Sequence, residues 1–194
     1  MKIIVLNGPP RVGKDTCAKF IIKEFADVRH LKFSYYLKKQ TLQKYGVVPY
    51  GANHYVLEDA LHEMFEVFKD IPLPSFNFMT PRQALIKLDD NLVNEIGEGY
   101  LIKEFARSLP REGHVIVSDS GKFNERKYFS KYMPDAEFHI IKLFRDNFTF
   151  RGDSRQYHEK DPNCPHRVHE VYCAPNEKWE DNYKLTKKIW EILC

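Results

Sequence analysis

The sequence predicts an α/β protein built around a parallel sheet, and three observations carry that reading. An apolar run, Ile3-Ile4-Val5-Leu6, passes directly into a Gly-x4-Gly-Lys loop at residues 8–14, with a helical segment behind it. A second apolar run, His114–Val117, leads within two residues to a carboxylate, Asp119. Around these two, short strand-like runs alternate with segments of helical periodicity, as in chained βαβ units.

The continuous aliphatic run at Ile3–Leu6 fits a strand buried on both faces. Gly8 and Gly13 allow positive φ and let backbone N–H groups reach phosphate oxygens with no Cβ between. Lys14 adds a point positive charge for the β- and γ-phosphates. A helix from about Lys14 to Phe25 aims its N-terminus at the same anion. Two glycines and a lysine at this spacing arise by chance in about 5% of chains of this length, and the flanking strand and helix bring that to about 1%. The strict motif has Ser or Thr after the lysine as a Mg²⁺ ligand, whereas this chain has Asp15 and then Thr16. Thr16 still offers a hydroxyl to phosphate, so the metal would be held partly through water or by a carboxylate elsewhere.

Residues His30–Ser34 read as a second strand and Tyr35–Tyr45 as a helix bearing Lys38, Lys39 and Lys44. Gly46–Asn53, with Pro49 and Gly51, reads as a loop. Over Tyr55–Phe68, Leu57, Leu61, Met64, Phe65 and Phe68 recur at helical spacing and are core positions. Ile71–Met79, containing Pro72 and Pro74, is irregular. Thr80 then reads as an N-cap and Pro81 as the first residue of a helix running to about Asn94 and burying Leu85, Leu88 and Leu92. Arg82 falls in its first turn, where the helix dipole disfavours a cation. It is read as facing a phosphate in preference to a surface ion pair.

Tyr100–Leu109 reads as a further helix, ended by Pro110 and Gly113. The strand His114–Asp119 places Asp119 at the carboxyl edge of the sheet, where open α/β sheets bind ligands, so Asp119 is read as holding Mg²⁺ or a substrate group. A helix over Phe123–Tyr132 and a strand over Glu137–Phe144, with Ile140, Ile141 and Leu143 in its core, follow. Arg145, Arg151 and Arg155 then fall within eleven residues. They are read as a lid that closes on a transferring phosphoryl group. The chain ends with a strand near Arg167–Cys173 and a helix capped by Asn176, with Trp179, Tyr183, Leu185, Ile189, Trp190 and Leu193 as apolar positions. Cys164, His166, His169 and Cys173 are zinc-ligand types, but C-x-H-x2-H-x3-C matches no common finger spacing, so they are read as ordinary loop and strand residues.

The 194 residues fit one domain, 1–194. Lys and Arg number 30 against 27 Asp and Glu, a net charge of +3. That balance suits anionic small molecules and gives no reason to expect stable nucleic-acid binding. No run approaches the ~18 apolar residues of a membrane span. The first strand starts at once, which predicts no signal peptide and no membrane association. Four widely spaced cysteines read as reduced thiols of a cytoplasmic protein.

With the loop, the strand-end acid and the arginine segment in this order, the chain resembles nucleoside monophosphate kinases, and more closely the bacteriophage-type deoxynucleoside monophosphate kinases. The residues that carry the resemblance are G-P-P-R-V-G-K-D-T at 8–16, T-P-R-Q-A-L at 80–85, D-S-G-K-F-N-E at 119–125 and the arginine-bearing stretch near 145–155. The Gly-Lys-Asp-Thr ending is that family's own variant. The resemblance implies a P-loop NTPase fold of three α/β/α layers with a five-stranded parallel sheet, a helical acceptor-binding region at about 35–110 and a lid at about 145–166. It implies Mg²⁺ and ATP as cofactor and donor, and a (deoxy)nucleoside 5′-monophosphate as acceptor. Gly8, Arg11, Val12, Gly13, Lys14, Asp15 and Thr16 would cradle the ATP phosphates, with Asp15, Thr16 and Asp119 near the metal. Arg82 would take the acceptor's phosphate, and Arg145, Arg151 and Arg155 would clamp the transferring group. A host-cell cytoplasmic location and a homodimer are compatible with it. One departure stands out: the family's acid-strand motif commonly reads Asp-Val-Arg, and here it is Asp119-Ser120-Gly121 with Lys122 adjacent. The rival readings are another P-loop kinase, of dephospho-coenzyme A or phosphomevalonate type, and a non-catalytic nucleotide-binding protein. The absence of an Asn-Lys-x-Asp guanine motif argues against a GTPase-like switch.

Overall fold

The computed structural model describes residues 1–122, 125–153, 155–159, 167–172 and 180–194. The chain divides into two compact units, residues 1–33 with 105–194, and residues 34–104.

The first unit holds a five-stranded, all-parallel sheet in the order β2-β3-β1-β4-β5. Its strands are β1 (Lys2–Asn7), β2 (Val28–Leu31), β3 (His114–Val117), β4 (Glu137–Phe144) and β5 (Arg167–Tyr172). β1 and β4 pair over six residues, Lys2↔Glu137 through Asn7↔Lys142. Both lie inside the sheet, which is why their sequences are almost unbroken apolar runs. Ile4, Leu6, Ile141 and Leu143 face helices α1 (Lys14–Glu24) and α7 (Glu180–Leu193), packing against Cys17, Ala18, Ile21, Leu185 and Ile189. On the other face an aromatic chain links sheet and helices. Phe33 meets Phe105 of α5 (Tyr100–Ser108) edge-on at 4.5 Å. Phe129 of α6 (Glu125–Tyr132) stacks on Phe138 of β4 at 4.5 Å. These are the three α/β/α layers.

The sequence places the second strand at His30–Ser34, and the structure places β2 at Val28–Leu31, starting two residues earlier and ending three earlier. The physical cause is a long-range contact. The Phe33 N–H leaves the ladder and donates to Asp119 Oδ1 at 2.8 Å, while its ring turns into the aromatic chain. The expected β5 and final helix appear at Arg167–Tyr172 and Glu180–Leu193. Phe123, Cys164, His166, Cys173, Asn176 and Trp179 lie outside the described residues, as does part of the expected lid, 160–166.

The second unit is helical, with α2 (Tyr35–Lys44), α3 (His54–His62) and α4 (Pro81–Ile96). A single π-helical turn, Glu63–Val67, continues α3. Leu42, Val48, Leu57, Leu61, Phe65, Phe76 and Ala84 make its core, so the segment around Phe76 is packed although it is irregular. The expected cap on α4 is present as a full capping box. Thr80 accepts from the Gln83 N–H at 3.1 Å, and the Gln83 side chain accepts from the Thr80 N–H at 2.9 Å. Among the described residues no helix is long and apolar enough to cross a membrane.

Candidate active site

β1 hands the chain toward β2 while β4 hands it the opposite way to β5, so a crevice opens at the carboxyl ends of β1 and β4. The loop 8–13 sits there. A Cβ on Gly8 would lie 2.9 Å from the Leu143 carbonyl oxygen of β4, so the loop can press this close to β4 only with glycine at its start. Arg11 at φ 64 and Gly13 at φ 101 take left-handed conformations, which bend successive peptide groups into a concave turn suited to anions. Val12, 3% exposed, anchors the turn in the core. Gly13 caps α1, whose first residue is Lys14.

Lys14 is buried, and its Nζ curls back to donate to the Gly8 and Pro9 carbonyls, both at 2.7 Å. Burial, reinforced by the nearby Arg155 charge, pulls its ammonium down to about 8. Arg155 therefore belongs to the same electrostatic neighbourhood as Lys14. Its guanidinium forks onto Asp153, Nε to Oδ1 at 2.8 Å and Nη2 to Oδ2 at 2.7 Å.

Asp15 and Thr16 occupy the first turn of α1, both exposed. The Asp15 carboxylate accepts from the Ser118 hydroxyl at 2.6 Å and from Lys32 Nζ at 3.0 Å. Burial works to raise its pKa, but those two partners outweigh it and hold it below the ordinary carboxylate range. Asp119 is half-buried beyond the end of β3, and its Oδ1 also fixes the Phe33 amide. Lys122 is exposed in the following turn.

Of the other arginines, Arg145 follows β4 and lies over the Phe148 ring at 5.1 Å. With Pro9, Phe144, Phe148, Phe150 and Tyr157 it lines a cleft of about 410 Å³ beside the loop. Arg151 is exposed in the turn that follows. Arg82 belongs to the second unit, where its Nε donates to Asp70 Oδ1 at 2.7 Å between two exposed side chains.

Several residues of the site carry no motif and went unseen in the sequence. Asn7, fully buried at the end of β1, accepts from the His158 N–H at 2.7 Å and donates to the Gln156 carbonyl at 3.1 Å. Its amide thereby stitches residues 156–158 to the strand that launches the loop. Lys142 Nζ holds both carboxylate oxygens of Glu159 at 2.9 Å, and Tyr157 OH donates to the Leu143 carbonyl. The stretch 155–159 of the expected lid is thus tied along the sheet edge. Away from this edge, His169 meets His139, Nε2 to Nδ1 at 3.2 Å. Among the described residues no group of three or more His, Cys, Asp or Glu could hold a metal ion.

No family model and no curated protein matches this chain. Among solved structures, a gluconokinase from Sinorhizobium meliloti 1021 aligns over 99% of this chain and 93% of its own at 11% identity and a TM-score of 0.46. A sugar kinase from Janibacter sp. HTCC2649 aligns over 100% and 95% at 10% identity and a TM-score of 0.41.

Proposed function

We propose that this chain is an ATP-dependent phosphotransferase that moves the γ-phosphoryl group to a (deoxy)nucleoside 5′-monophosphate, giving the diphosphate for DNA precursor synthesis. The observation that carries the reading is a buried lysine, Lys14, at the mouth of a glycine-bounded loop that opens a helix. Burial first and the Arg155 charge second disfavour the Lys14 ammonium, and a bound polyanion offsets both. The Gly8 and Pro9 carbonyls that now hold Lys14 release it when phosphate oxygens offer a charged partner. The cleft lined by Phe144, Arg145, Phe148, Phe150 and Tyr157 gives a nucleobase apolar and cationic faces to stack on.

ATP fits the donor set of the loop, and Thr16 with Asp119 suits Mg²⁺, an ion that keeps several waters and asks for few protein ligands. Asp15 is the weaker metal ligand, because Lys32 and Ser118 already occupy its carboxylate. Bound there, Mg²⁺ would supply charge neutralisation at the phosphates. The attacking phosphate oxygen is anionic at neutral pH, so the residues need no general base. Lys14 and Arg155 hold the donor phosphates and neutralise charge as it develops, and Arg145 and Arg151 close over them. Arg82 takes the acceptor's phosphate in exchange for Asp70, an exposed pair worth about 0–1 kcal/mol.

The decisive experiment is ADP release from Mg·ATP with a panel of deoxy- and ribonucleoside monophosphates, dephospho-coenzyme A and phosphomevalonate. Turnover with a monophosphate is expected, and Lys14→Ala should lower it about 10²–10³-fold. Turnover only with another acceptor, or a near-native rate for the variant, would overturn the assignment.

A further inference from the structure

Gly121 is gripped from three directions. Its N–H donates to Glu125 Oε2 at 2.9 Å, and its carbonyl accepts from the Gln156 N–H at 2.9 Å. Its α-carbon faces the stem of Arg155: a Cβ there would lie 2.9 Å from Arg155 Cβ and 3.2 Å from Cγ. The arginine stem therefore fills the room that any side chain at 121 would need. Glu125 is itself fixed. The Ser120 hydroxyl donates to the same Oε2 at 2.8 Å and meets His158 Nε2 at 2.7 Å. Asn7 clamps the far side through Gln156 and His158.

We propose that Gly121 and Glu125 are positioning residues for Arg155: together they make a seat, open only because residue 121 lacks a side chain, that sets the guanidinium beside Lys14 to receive the donor's phosphates. This rests on the ATP reading above. Asp153 holds the guanidinium fork through two nitrogens, the bidentate geometry that a phosphate also takes. It is the resident anion that a donor phosphate replaces. The seat explains why a segment outside the helices and strands can carry an arginine of fixed position. Its backbone is held by Gly121 and Asn7, and its stem lies flat on a residue with nothing to displace it. Any Cβ at 121 pushes the stem off, and φ +151 at that residue adds strain for an L side chain.

The test is a double-mutant cycle read by calorimetric ATP affinity, with no acceptor present. Gly121→Ala and Arg155→Ala should each weaken ATP binding about tenfold, the order expected for one charge-assisted contact. The double variant should bind no more weakly than Arg155→Ala alone. Additive losses, or native affinity in Gly121→Ala, would overturn the seat while leaving the ATP reading standing. A wild-type protein that binds no ATP would sink the ATP reading and the seat with it. If Gly121→Ala does not fold, Glu125→Ala replaces it in the same cycle. Glu125→Gln, which keeps an acceptor oxygen for Ser120 and Gly121, should restore ATP affinity to the native value; failure to restore it counts against the seat.

Discussion

Glu125 shows at the scale of one residue how the site stores tension. Its side chain is 11% exposed, and burial pushes its carboxyl up to about 7 against the opposing hydrogen bonds from Gly121 and Ser120. Asp119 adds to the rise and Lys122 opposes it, with His158 at 3.9 Å and Arg155 as further neighbours. A raised carboxylate pKa means the folded protein prefers the protonated acid. The stabilisation is therefore complete below the ordinary carboxylate range and is lost as pH rises through about 7. Glu125→Gln cannot ionise. It should be more stable than the wild type at pH 8 by about 1–3 kcal/mol, with the difference vanishing near pH 4. Thermal melts of both proteins across that range measure it. A pH-independent difference would mean that Glu125 does not titrate in this window.

At the scale of the element, local chemistry and tertiary demand agree in some places and part in others. The start of α4 was legible because capping is a sequence-local event. Thr80, Pro81 and Gln83 carry the box within four residues, and both of its hydrogen bonds form. Thr80→Ala should lower stability by about 1 kcal/mol in urea unfolding. An unchanged midpoint would show that the box contributes nothing net. The end of β2 was not legible. Nothing between His30 and Ser34 announces that the Phe33 amide will be taken by a carboxylate 86 positions away. The π-helical turn at Glu63–Val67 was hidden for a related reason. It leaves Phe65 on the core side, so the apolar spacing reads as ordinary helix.

The larger unit, residues 1–33 with 105–194, depends on two packed faces of one sheet. The aliphatic face, with α1 and α7, was readable from the continuous apolar runs of β1 and β4. The aromatic face was not, because its members come from four distant segments. Phe129 is its hub, fully buried and stacked on Phe138, with Phe33 at 5.7 Å. Phe129→Ala should cost about 3–5 kcal/mol of global stability in chemical denaturation. A loss below ~1 kcal/mol would show that the layers do not depend on this contact. The site divides the same way. Gly8, Gly13, Lys14 and Asp119 announced themselves through a fixed spacing and a strand end. Asn7 and His158 gave no such signal, since each matters through partners contributed by another segment, and Ser120, Gly121 and Glu125, though inside the 119–125 stretch, gave no sign of the contacts they make with residues 155–158.

The sequence by itself determined the α/β class, the place of each helix and strand to within a few residues, and the loop with its lysine. Periodicity, capping and glycine spacing are local physical constraints, and they are written where they act. Tertiary structure alone decided the strand order, the turning of Asp15 toward Lys32 and Ser118, and the seating of Arg155 on Gly121 beside Lys14. Those depend on which distant groups meet once apolar surface is buried, and a linear string of residues does not state that.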